Sequence, residues 1–169
     1  WKNKKKINIY GNLRTIYHLK KSQEYLFKKI SAYPPIVKAN VINSSFSLGK
    51  LNEAVHFKAI KAKHGKTSSV IYIFEHTAYV SDCDDLSIVK IKELQNLKYL
   101  ILDCLRFKKH ASHFNLKESL YVHHCLNPKK TILTNLHYDL DYDVLLRKLP
   151  KNVLPAYDGL SLNLQNVKK

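Results

Sequence analysis

The 169-residue sequence contains no methionine and starts at Trp1. A primary translation product begins with Met, so the expectation is a processed chain or the C-terminal portion of a longer one. No apolar run approaches the ~18 residues that a membrane-spanning helix needs. No apolar segment follows a basic one near the start, so no secretory signal is visible. Cysteine is sparse: Cys83, Cys104 and Cys125 are far apart and form no Cys-x-x-Cys pair. That excludes a disulfide scaffold and argues against a zinc ribbon. Three separate thiols with no secretory signal fit a reducing, cytoplasmic setting. Glycine is also scarce, with four in the chain.

Acidic residues are few, 13 against 29 basic ones, giving a net charge of +16. Such an excess raises the question of nucleic acid or anionic membranes. Arginine is nearly missing, however: only Arg14, Arg106 and Arg147 occur. Surfaces that read nucleic acid draw on the bidentate guanidinium fork. The lysines are spread along the chain, with one dense run at Lys2, Lys4, Lys5 and Lys6. They read as a solvated surface ahead of a nucleic-acid footprint. Apolar residues make up 45% and charged residues 25%, as in ordinary globular proteins. The length suits one domain with a substantial core, so residues 1–169 are treated as a single partial domain.

Periodicity and breakers predict an α/β chain. Ile7 to Tyr10 reads as a strand stopped by Gly11. Asn12 can cap a helix from Leu13 to Ile30, which Pro34-Pro35 ends. Ile36 to Ile42 reads as a strand, followed by a turn from Asn43 to Gly49. Val55 to His64, Val70 to Phe74 and Ala78 to Val80 read as further strands. A helix is predicted from Asp84-Asp85 through Leu94, then a buried strand from Tyr99 to Leu102 ending at Asp103. Asn115 caps a helix over Leu116 to Leu126, and Thr131 to Leu133 is another buried strand. A helix from Asp141 to Leu149 and a final strand near Leu160 to Leu164 complete the reading.

The chemistry-bearing residues gather at strand ends: His64, Asp82, Asp103, then Asn135 and His137, with His110 and His113 in a loop. In layered α/β folds, loops at one end of the strands converge on a site. Imidazole and carboxylate are the usual ligands of zinc, manganese or iron. The plain alternatives are a turn-capping carboxylate for Asp82, a helix flank for His113 and a turn former for Asn135. His123 and His124 are adjacent on a helix, cannot share a face, and read as structural. Asp139, Asp141 and Asp143 lack the glycine and distal glutamate of a calcium loop and read as a helix start.

His64-Gly65 followed by Thr77-Ala78-Tyr79-Val80-Ser81-Asp82 resembles two motifs of the metallo-β-lactamase fold. The later segments Tyr99 to Arg106, His110 to Phe114, Leu133 to Tyr142 and Pro155 to Gly159 keep that order. They resemble the branch that contains phosphoribosyl cyclic phosphate phosphodiesterases. The resemblance covers roughly residues 7 to 164. It implies the C-terminal part of an αββα sandwich and a site with two divalent ions, zinc or manganese. It also implies His64 as a ligand of the first metal and Asp82 as a bridging and catalytic carboxylate. His113 would stand near the substrate phosphate as a catalytic group, with Asp103 and Arg106 orienting substrate or ligands. Relatives carry Thr-His where this chain has Thr134-Asn135, so His137 is the expected last ligand, with Asn135 as the alternative.

The family signature His-x-His-x-Asp-His occurs nowhere in this sequence. The expectation is therefore a C-terminal portion whose N-terminal half is missing and which is inactive alone. The implied substrate is a small (cyclic) phosphodiester, with no membrane partner and with a homodimer left open. Two other readings remain: a basic nucleic-acid-binding or RNA-processing module of the same fold, and a decayed remnant without catalysis.

Overall fold

A computed structural model describes residues 5–50 and 53–164. The chain forms two compact units, residues 1–46 and 47–169.

In the first unit, strand β1 (Ile7–Gly11) pairs in parallel with β2 (Val37–Val41), joined by helix α1 (Leu13–Ser22). Asn12 caps α1 by accepting from the Thr15 N–H at 2.8 Å, and Ile16 is the residue this helix buries. The helix is shorter than its apolar spacing predicts. A helix reaching Ile30 would send the Ile30 N–H to the Leu26 carbonyl. Instead, the Ile30 N–H bonds to the Tyr33 carbonyl, and the Leu26 carbonyl accepts from the Ile36 N–H that leads into β2. Only a 3-10 turn, Glu24–Leu26, follows α1. Docking of the next strand outweighs propensity here.

The larger sheet has seven strands in chain order: β3 (Ser45–Leu48), β4 (Val55–His64), β5 (Thr67–Phe74), β6 (Thr77–Val80), β7 (Tyr99–Asp103), β8 (Lys130–Thr134) and β9 (Val153–Pro155). The boundary between the two units falls inside β3. β3 lies in the stretch expected to be a turn. β4, β5 and β6 are antiparallel, whereas β6, β7, β8 and β9 are mutually parallel. β4 and β6 both run against β5, so β4 points the same way as the parallel strands. The C-terminal ends of β4, β6, β7 and β8 therefore share one edge of the sheet.

β7 shows why a short apolar run makes a central strand. Leu100 and Leu102 are fully buried, and so is Asp103 at its end. One core joins β5, β6 and β7 to helix α2 (Leu116–Leu126) through Ile71, Val80, Leu102, Phe114 and Val122. A second core, with Leu133, Leu145 and Val153, lies under helix α3 (Tyr142–Lys148). Each such side chain contributes about 1.5–3 kcal/mol on burial. α2 follows its sequence signals closely. Asn115 and Glu118 form a reciprocal capping box, and Asn127 takes the left-handed conformation at the C-cap.

Two expectations are corrected. The segment predicted as a helix to Leu94 forms two 3-10 turns, Leu86–Lys90 and Lys92–Leu94. Ile91 between them is extended, at φ −71° and ψ 118°, which lets both Ile88 and Leu94 turn into the core. The final strand is Val153–Pro155, not Leu160 to Leu164. It pairs with β8 up to Pro155, and the Ala156 N–H just beyond still bonds to the Leu133 carbonyl at 2.8 Å.

Cys83 and Cys104 are fully buried, and burial pushes both thiols up to about 12, whereas Cys125 is exposed. A thiol titration with Ellman's reagent at pH 8 is expected to find one reactive group in the native protein and three after denaturation. His123 is buried on α2, its Nδ1 2.8 Å from Thr131 Oγ1. Desolvation, aided by the neighbouring His124, holds its pKa below the ordinary 6.5. The unfolded chain binds that proton more readily, so the contribution is full above about pH 6.5 and fades as the pH falls through it. The urea midpoint is expected to drop between pH 7.5 and pH 5.5, and to drop less in His123→Gln.

Candidate metal centre

The shared sheet edge brings the strand-end residues together. His64 closes β4, and its Nδ1 lies 2.8 Å from the Ser112 carbonyl oxygen. The carbonyl can only accept, so Nδ1 carries the proton and Nε2 is left as the free donor. His113 is held in the same manner by a carboxylate: its Nδ1 lies 2.8 Å from Asp103 Oδ2. The two rings meet edge to face with centroids 4.6 Å apart. Asp82, two residues beyond β6, has Oδ1 3.9 Å from His113 Nδ1. Potential ligand atoms of His64, Asp82 and His113 all lie within 4.8 Å of one another.

Asp103 organises this cluster from below. Its Oδ2 accepts from the Cys83 N–H at 3.1 Å as well as from His113, and its Oδ1 accepts from Asn135 Nδ2 at 3.3 Å. Burial pushes its carboxyl up from the ordinary carboxylate range, while Cys83, His113 and Asn135 pull it back down. Asn135, just past β8, adopts φ 62° and reaches back to the Ser81 carbonyl and to Asp82 Oδ1 at 3.5 Å. Asparagine tolerates this left-handed backbone better than most residues.

His137 stands apart from the group. Its Nδ1 pairs with Asp139 Oδ1 at 3.0 Å, its ring lies 4.1 Å from that of Tyr138, and its backbone N–H bonds to the Leu105 carbonyl. Of the two candidates for the last ligand position, Asn135 is the one beside the cluster. Arg106 also faces elsewhere, its guanidinium donating to the carbonyls of Lys108 and Lys109. His110 neighbours His113, with ring centroids 5.2 Å apart, and accepts from the Ser112 N–H.

Sequence reasoning missed the role of Ser112 and the spatial demand on Gly65. Ser112 acts through its backbone carbonyl, which no side-chain pattern reveals. Gly65 turns the chain after β4 at φ +56°, and a Cβ there would stand 2.9 Å from Ser112 Cβ. Its N–H donates to Asp84 Oδ1, which ties the turn to the segment after Asp82.

The cluster fits a divalent cation. His64, with one ring nitrogen anchored and the other free, and the partly exposed Asp82 carboxylate are nitrogen and oxygen donors suited to zinc or manganese, and His113 stands beside them. A histidine that donates its other N–H to a carboxylate or carbonyl is the usual outer arrangement around a bound metal.

The fold is thus a mixed α/β sheet with a possible metal-holding cluster at the C-terminal ends of its strands. The chain belongs to the beta-lactamase superfamily domain family, whose profile matches residues 2–138. Among solved structures, a diphosphatase from the PhnP family superposes with a TM-score of 0.76 at 28% identity, over 92% of this chain and 57% of its own. The metallo-beta-lactamase fold protein YhfI from Bacillus subtilis gives a TM-score of 0.63 at 18% identity, over 88% of this chain and 61% of its own. A curated relative, an octanoyltransferase from Porphyromonas gingivalis, is 21% identical over 160 residues. That match spans 92% of this chain but 32% of the relative, so its name describes a much longer protein. Among the described residues, no helix is long and apolar enough to cross a membrane.

Gly65→Ala is expected to cost about 1–2 kcal/mol from the left-handed backbone alone. It also pushes against Ser112 and so loosens His64. Chemical denaturation and zinc titration of the variant should show both losses together.

Proposed function

We propose that this chain carries part of a metal-dependent phosphodiesterase site acting on a small phosphodiester. The observation that carries the reading is the gathering of His64, Asp82 and His113 within 4.8 Å, with both rings locked through Nδ1. The diphosphatase at 28% identity supports phosphorus–oxygen hydrolysis as the reaction class. In this reading His64 and Asp82 hold a zinc or manganese ion, which supplies Lewis acidity to a phosphoryl oxygen.

His113 faces the phosphate. Asp103 accepts the Nδ1 proton of His113 and balances positive charge on the protonated ring, so the Nε2–H can donate to a phosphate oxygen and pass its proton to the leaving oxygen, which leaves the ring neutral. Asn135 keeps the Asp82 and Asp103 carboxylates apart and oriented by donating towards both. The chain spans little more than half of the diphosphatase. On this reading residues 1–169 supply part of a ligand set, and this stretch alone binds a cation weakly and without turnover.

Two measurements test this. By equilibrium dialysis, His64→Ala and Asp82→Ala should lose zinc or manganese binding, while His113→Ala and His137→Ala retain it. In protein that carries a full ligand set, His113→Ala should lower the hydrolysis of a nitrophenyl phosphodiester about 10²–10⁴-fold, with His137→Ala close to wild type. Unchanged cation binding in His64→Ala and Asp82→Ala would sink the assignment.

A further inference from the structure

The division of the chain concentrates its charge. Residues 1–46 carry ten basic side chains and one acidic, Glu24, a net of +9 out of the chain's +16. The one carboxylate is already engaged, since Glu24 pairs with Lys28 one helical turn on. Lys6, Lys20, Lys28 and Lys38 surround a hollow of about 300 Å³ together with Glu24 and the ring of Phe27. They come from four places: the residue before β1, the end of α1, the segment after the 3-10 turn, and β2. Among the described residues, Lys6, Lys20 and Lys38 have no acidic partner, so the hollow holds a net charge of about +3. The same unit exposes Tyr17, Tyr25 and Tyr33, each more than half accessible, and Tyr25 directly follows Glu24 in the chain.

Converging ammonium groups repel one another, and an anion that neutralises several at once relieves that repulsion. A concave site lined by lysines and an aromatic ring suits a ligand with repeated phosphates and flat apolar faces. We infer that the N-terminal unit binds single-stranded nucleic acid, with backbone phosphates at Lys6, Lys20, Lys28 and Lys38 and a base against Phe27. Scarcity of arginine fits this role. Lysine neutralises phosphate as a point charge without the fork that reads guanine, so binding is independent of base sequence. Stacking on an aromatic ring is equally tolerant, because every base has a π face. A duplex would keep its bases stacked inside and could not use Phe27.

The test is fluorescence polarisation of a labelled 12-nucleotide single strand on the full chain, with EDTA present so that no metal chemistry contributes. Log affinity should fall linearly with log salt, by about 0.7 for each phosphate neutralised, hence a slope between about −2 and −3. Lys20→Gln with Lys38→Gln should reduce the slope by about 1.4 and weaken binding at low salt at least tenfold. Lys148→Gln with Lys151→Gln, in the other unit, should bind like wild type. Phe27→Leu should weaken the single strand several-fold while leaving the slope unchanged. A slope near zero would overturn the inference, as would equal affinity for inorganic polyphosphate or for anionic lipid vesicles. So would hollow variants that bind as tightly as wild type. Cation binding at His64 and Asp82 is not used in any arm, so failure here leaves the hydrolase reading standing, and the converse.

Discussion

A single buried carboxylate holds the site together. Asp103 sits at the end of β7 with no exposure, and its two oxygens are shared among the Cys83 N–H, His113 and Asn135. Taking a carboxylate out of water is costly unless hydrogen bonds replace its hydration. Here the replacements come from three separate segments: the one after β6, the loop before α2, and the one after β8. Satisfying the buried charge therefore brings those segments to one edge. The Asp103 carbonyl adds a fourth tie, accepting from Ser119 Oγ of α2 at 2.7 Å. Stability and site geometry share this constraint, because loosening Asp103 frees the ring of His113 and the amide of Asn135 together.

Sheet direction does the rest. β4 and β6 are linked through β5 by antiparallel hairpins, and β7 and β8 follow by parallel crossovers, yet all four point the same way. Residues well separated in sequence, His64 and Asp82 first and Asn135 much later, become neighbours without any local motif. Loops can then change around them while the sheet keeps their roots in place.

Much of this could be read from the sequence where local signals and tertiary demands agree. Asn115 with Glu118 fixes the start of α2, and Asn127 its end, because capping is a local hydrogen-bond matter. The strands ending at His64 and Asp103 follow from alternation and a short apolar run. Reading failed where distant backbone groups competed. α1 stops because the Leu26 carbonyl serves Ile36, and the segment to Leu94 stays 3-10 because Ile91 is extended. At the site, the resemblance drew attention to His64, Asp82 and His113, which do lie together. Directly after β8 the chain turns at Asn135 with positive φ, and His137 pairs with Asp139 instead. Alternation along a strand cannot anticipate such a turn. Nor does composition show that more than half of the charge belongs to the first 46 residues.

The far border of the large sheet has a consequence of its own. β9 is only three residues long and ends on a proline. An unpaired strand border is a template on which a second polypeptide can dock by ladder bonding, and brevity and proline both spoil that template. On this flank the sheet is self-limiting, so crowding of many copies should not extend it strand upon strand into a fibre from that side.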